Sequence, residues 1–155
     1  ININNMANFA KIDDNGIVLN VVTVNDKDCL DSNGVESEAV GQAYLEKHNN
    51  WPADKWIQTS RNTYYGTHLS GGTPLRVNFA AIGMTYDREN DLFHDTNKPF
   101  PSWVLNTTEG KWQSPIGDAP NLPPEKEAEN IDGFFKWMYI WNEETRAWDL
   151  TDITL

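Results

Sequence analysis

The chain has 155 residues, with 12 basic and 23 acidic side chains, a formal net charge of -11 and a pI near 4.5. Its 39% apolar residues and seven tryptophans suffice for one domain with its own core, which excludes a disordered acidic tail. A mean hydropathy of -0.62, without an apolar run near the roughly 18 residues of a membrane span, excludes an integral membrane protein. The single Cys29 excludes an intrachain disulfide framework or a thiolate-built zinc site, and is read as a small buried hydrophobe.

Ile1 to Asn5 precede Met6, which reads as a natural start, so these five residues are expected to be a read-through or cloning remnant. Neither they nor the residues after them carry the pattern of a secretory signal, and export by that route is not expected. Phe9 to Ile12 and Ile17 to Val24 read as two strands joined by a tight turn, with Asn15-Gly16 supplying positive backbone angles. The spacing predicts one amphipathic helix over about 35–48, its stripe made of Val35, Ala39, Val40, Ala43 and Tyr44. Asn33 serves as its N-cap, Gly41 weakens it, and Asn49-Asn50-Trp51-Pro52 ends it. Trp56 to Ser60 reads as a strand, Gly66 to Gly72 as a turn-rich loop, and Leu75 to Met84 as a further strand. Ser114 to Gly133, with four prolines, reads as a long surface connection. The expected division is a main β-rich domain over 6–113, a Pro-rich connection over 114–133 and a C-terminal aromatic hairpin over 134–150. The fold class is α+β, mainly antiparallel β hairpins.

Comparison of the chain with itself shows a repeat. Tyr86 to Phe93, Leu105 to Trp112 and Trp141 to Trp148 each place two large apolar residues seven positions apart around a polar loop that opens with Asp87, Asn106 or Asn142. In a hairpin such residues meet across the strands while the Asx side chain starts the turn. Isolated hairpins are barely stable, so these must pack on each other, on the helix or on another subunit.

No constellation for chemistry emerges. His48, His68 and His94 are far apart with no metal-ligand spacing, so no metal site is expected. Setting Gly16 at the sixth position of a calcium loop puts Lys11 first and Val22 twelfth, which cannot ligate in those roles. A nucleophile motif is lacking, and carboxylates alone carry no glycosidase assignment. The chain is therefore read as a non-enzyme without catalytic residues or cofactor. Its cations are scattered, and from Glu109 onward ten acids face four bases, which speaks against nucleic acid. Trp51 and Trp103, beside prolines, are read as the exposed tryptophans. They and the Trp141 and Trp148 pair are the candidate contacts for a partner or a glycan.

Met6-Ala-Asn-Phe-Ala-Lys-Ile12 with the Asn15-Gly16 turn, Trp56-Ile-Gln-Thr-Ser60, Asn78 to Asp87 and Lys98-Pro-Phe-Pro-Ser-Trp103 together resemble small proteins of tailed phages of marine cyanobacteria and other ocean bacteria, described as hypothetical or virion structural. The resemblance spans roughly residues 6 to 115. The chain departs from that pattern most over Val35 to His48 and Gly66 to Gly72. The resemblance implies a setting, namely a virion component or assembly accessory in the virion or in the cytoplasm of the infected bacterium. The expected function is a structural or assembly-accessory protein of capsid, neck, tail or fibre, with its own copies or other virion proteins as partners. Two alternatives stand beside it: a glycan-binding module of a host-recognition apparatus, and a factor binding a host protein through its acidic face. Neither a membrane nor a nucleic acid is expected as partner.

Overall fold

A computed structural model describes residues 6–131 and 133–154 of the chain; the expectation for Ile1 to Asn5 falls outside them. The architecture is α+β and consists mainly of antiparallel hairpins. Strand β1 (Met6–Ile12) runs between β2 (Val18–Asn25) and β3 (Trp56–Thr59), antiparallel to both. As the central strand it is buried on both faces. Ala7 and Phe9 enter one core with Val24, Cys29, Leu45 and Trp56, and Ala10 and Ile12 enter another with Val18, Ile57, Ala80, Tyr86 and Phe93. Side chains two apart share a face, so one short apolar strand serves two cores.

The β1–β2 turn has only one left-handed residue, Gly16 (φ 80°), where two were expected. The reason is Asp13, whose carboxylate accepts the amides of Asn15 and Ile17 at 2.9 Å and closes a longer turn. The same device recurs at Asp31-Ser-Asn-Gly34-Val35, where Asp31 accepts from Asn33 and Val35 and Gly34 is left-handed. This corrects the predicted start of the helix. Asn33 belongs to that turn, and α1 covers Glu38–Asn49 with Ser37 as N-cap, its hydroxyl accepting from Val40 N–H. Val35 is 59% exposed, and the buried face of α1 centres on Gly41 and Leu45 rather than on the expected stripe. Gly41 is a point of contact, since a Cβ there would lie 2.9 Å from Phe9 Cε2 and 3.1 Å from Cys29 Sγ. Asn50, left-handed, ends the helix as expected.

Two short hairpins follow: β4 (Thr63–Tyr64) with β5 (Thr67–His68), and β6 (Thr85–Asp87) with β7 (Leu92–His94). The strand expected over Leu75 to Met84 does not form. Arg76 and Val77 take φ of 51° and 67°, which breaks an extended path. Asn78 holds the break: its side chain accepts from Tyr65 N–H and donates to the carbonyls of Phe93 and Gly110, each at 2.9 Å. The chain continues with β8 (Val104–Asn106) paired to β9 (Lys111–Gln113), a one-turn helix α2 (Pro124–Glu127), and β10 (Trp137–Asn142) paired to β11 (Ala147–Asp152).

The chain divides into two units, along lines other than those expected. Residues up to Asn97 with Asn106–Lys111 form the first, and Lys98–Leu105 with the residues from Trp112 onward form the second. The Pro-rich segment is thus part of the unit that holds β10 and β11. Gly117 O accepts from Trp148 Nε1 at 3.1 Å, and Asn130 bonds the backbone of Lys136 and Trp137.

Candidate functional site

The three repeated loops share one conformation. Asp87, Asn106 and Asn142 each accept, through Oδ1, the amides two and three residues on, at 3.0 to 3.1 Å. Four residues past each Asx stands a left-handed residue: Asp91, Gly110 and Arg146, with φ of 52°, 60° and 52°. The turn therefore rests on the side chain that opens it, and it sets the residues outside it opposite one another. Tyr86 pairs with Phe93 and their rings lie 5.1 Å apart. Trp141 pairs with Trp148 at 5.3 Å, edge to face. Leu105 and Trp112 occupy the equivalent places in β8 and β9, both half-buried.

In the second unit Trp103 joins the last pair, with centroids 6.1 Å from Trp141 and 6.0 Å from Trp148, and Phe100 lies 5.4 Å from Trp103. Glu143, in the β10–β11 turn, ties the group together. Its carboxylate accepts from the amide and hydroxyl of Ser102 and from Trp141 Nε1, at 2.7 to 2.9 Å. Those bonds, Trp141 first and Ser102 next, hold the carboxyl below its ordinary value. This gathers Lys98 to Trp103 onto the last hairpin, which accounts for the division of the chain. Trp103 Nε1 is buried without a hydrogen-bond partner.

The candidate contact tryptophans are at most partly exposed. Trp141 is buried, while Trp51, Trp103 and Trp148 are half-buried, so Trp51 and Trp103 are not the exposed rings expected. Trp51 donates to Ile12 O at 3.0 Å and carries Lys11 Nζ 4.3 Å from its ring centre. Trp103, Trp141 and Trp148 use their faces and edges on one another. Lysines at Trp51 and mutual ring packing at the other three therefore take up part of the surface that a sugar ring would need.

Sequence reasoning missed two features. The first is Arg76, whose guanidinium grips both oxygens of Glu38 at 3.0 Å, Asp91 at 2.8 Å and Gln58 O at 2.9 Å, while the Tyr86 hydroxyl donates to Asp91 at 2.5 Å. Glu38 also accepts Gln58 N–H at 3.1 Å, so Glu38 and Arg76 together occupy both backbone polar groups of Gln58 on the free edge of β3. Burial raises the Asp91 carboxyl, but the Tyr86 and Arg76 bonds outweigh it and leave Asp91 below its ordinary value. No local pattern marks these residues, because the partners lie 15 to 38 positions apart. The second is a run of exposed apolar side chains: Ile131 60%, Phe134 65%, Phe135 66%, Met138 46% and Ile140 43%. Its signal was present, since Trp137 to Trp141 is apolar on both faces of a ribbon that buries one.

Fold and site define a small α+β protein built on aromatic-clamped hairpins, one of which displays an apolar face. Comparison with family models, curated proteins and solved structures finds no match. Among the described residues no group of three or more His, Cys, Asp or Glu side chains is placed to hold a metal ion, and no helix is long and apolar enough to cross a membrane.

Proposed function

We propose that this chain is a phage virion structural or assembly-accessory protein that works through contacts with other protein subunits, its own copies among them. The observation that carries the reading is the exposed run of Ile131, Phe134, Phe135, Met138 and Ile140. Met138 and Ile140 share the outer face of β10, opposite the face that buries Trp141. Five large apolar side chains within ten positions are unusual on a monomer's surface and mark a place where protein meets protein. The clamped hairpins and Glu143 stiffen the ribbon that bears them, which lowers the ordering cost of docking. The resemblance of the Met6 to Ile12, Trp56 to Ser60 and Lys98 to Trp103 segments to marine phage proteins supplies the setting.

Sedimentation and light scattering on the purified chain, with mass spectrometry of purified particles of the encoding phage, test the reading. The expected outcome is concentration-dependent assembly that is lost on combining Phe134→Ser, Phe135→Ser and Ile140→Thr, and the presence of the chain in particles. A strict monomer that particles lack would remove it.

A further inference from the structure

A groove of about 1020 Å³ opens in the first unit along the start of β1, the end of β3 and the Gly66–Gly72 loop. That loop orients a histidine. His68 Nδ1 accepts the amides of Ser70 at 3.1 Å and Gly72 at 3.0 Å, so the ring proton sits on Nε2, where it can be donated. A Cβ on Gly72 would come within 3.0 to 3.2 Å of three ring atoms, so the missing side chain is what lets the loop close on the imidazole. The backbone of His68 pairs with Thr63, which is fully buried. The donor is therefore set before any ligand arrives.

Arg61, two residues past the end of β3, lines the same groove. It is exposed, makes one long hydrogen bond of 3.4 Å to Asn8, and forms no ion pair among the described residues. Asp26 and Glu36 line it too, along with the hydroxyls of Ser60 and Thr73. A fixed imidazole donor, a loosely held guanidinium, two carboxylates and several hydroxyls thus share one groove.

We propose that this groove binds a neutral oligosaccharide, with Arg61 and His68 Nε2 donating to its hydroxyls and Asp26 and Glu36 accepting from them. A sugar hydroxyl both donates and accepts, and so uses such a lining in full. A polyanion meets two carboxylates and a chain of net charge -11. A peptide needs shaped apolar side-chain pockets or a free strand edge; here most of the lining side chains carry hydroxyl, amide, imidazole or charged groups with apolar surface between them, and Gln58 on the β3 edge is already bonded by Glu38 and Arg76. The volume lies at the top of the range of about 300–1,000 Å³ typical of compact small ligands, which favours several linked rings. The site is separate from Trp51, Trp103, Trp141 and Trp148, and it stands or falls independently of the virion reading.

Amide nitrogen–proton spectra of the full chain, titrated with maltohexaose, cellohexaose and chitohexaose and with an acidic uronate hexamer, test the proposal. Saturable shifts confined to the groove, at residues 6–8, 23–26, 36, 58–62 and 68–75, are expected with at least one neutral sugar, weakened about tenfold or more by Arg61→Ala and by His68→Ala. Should His68→Ala disturb the fold, Arg61→Ala decides alone, because that side chain is exposed and barely bonded. The absence of shifts with all three neutral sugars up to about 10 mM, a response to the uronate only, shifts elsewhere, or an unaffected Arg61→Ala variant would each overturn it.

Discussion

Gly41→Ala sets two physical effects against each other in one residue. Helix propensity alone favours the change by about 1 kcal/mol, since alanine replaces glycine inside a helix. Packing opposes it. The new methyl would lie 2.9 Å from Phe9 Cε2, nearer still to Cζ, and 3.1 Å from Cys29 Sγ. Phe9 and Cys29 are both wholly buried, and Phe9 stands on the central strand, so the ring has no way out into solvent. Overpacking a sealed core costs about 1–3 kcal/mol. With three atoms crowded the upper part of that range applies, and the net loss is about 1–2 kcal/mol after the propensity gain. For a chain of this size that lowers Tm by about 2–8 °C. Urea and thermal unfolding followed by near-ultraviolet circular dichroism measure it. Phe9→Leu removes the two ring atoms that collide and leaves only Cys29 Sγ, so in that background Gly41→Ala should lose most of its penalty. A Gly41→Ala protein as stable as the parent, or more so, would refute the packing argument.

Two further outcomes follow from the side-chain networks. Asp91 has a lowered pKa in the folded chain and the ordinary value of 3.8 when unfolded, so its contribution is present above 3.8 and is lost as the pH falls through the lower folded value. Urea midpoints measured from about pH 6 down to about pH 2.5 should therefore fall on the acid side, less steeply for Asp91→Asn; equal slopes would count against the Arg76 knot. Trp103→Phe and Trp141→Phe remove the same volume, but only Trp141 has a hydrogen bond to lose, to Glu143. Trp141→Phe should cost more than Trp103→Phe by about 1–3 kcal/mol in chemical denaturation, and equal losses would contradict the assigned bonding.

The hairpin turns were readable because their causes are local. An Asx oxygen reaches amides two and three residues ahead whatever lies around it, so Asp87, Asn106 and Asn142 announce their turns and place Tyr86 against Phe93 and Trp141 against Trp148. The same chemistry at Asp31-Ser-Asn-Gly34 went unread, and the helix was started too early as a result. Its period alone also mistook which face is inner. Leu45 and Gly41 turn inward because Phe9 and Trp56 wait there, and that contact joins residues 32 positions apart.

Composition, charge and the short-range turn code of the sequence determined the α+β class, the clamped hairpins and the end of the helix at Asn50. These follow from angles and bonds that a few consecutive residues settle among themselves. Tertiary structure alone decided that Arg76 bends away from a strand to hold Glu38 and Asp91, that Trp51 lies beneath a lysine rather than in the open, and that the glycine-rich loop fixes the tautomer of His68. Each depends on a partner delivered by the folding of distant segments, and the free energy of such a contact leaves no periodic trace along the chain.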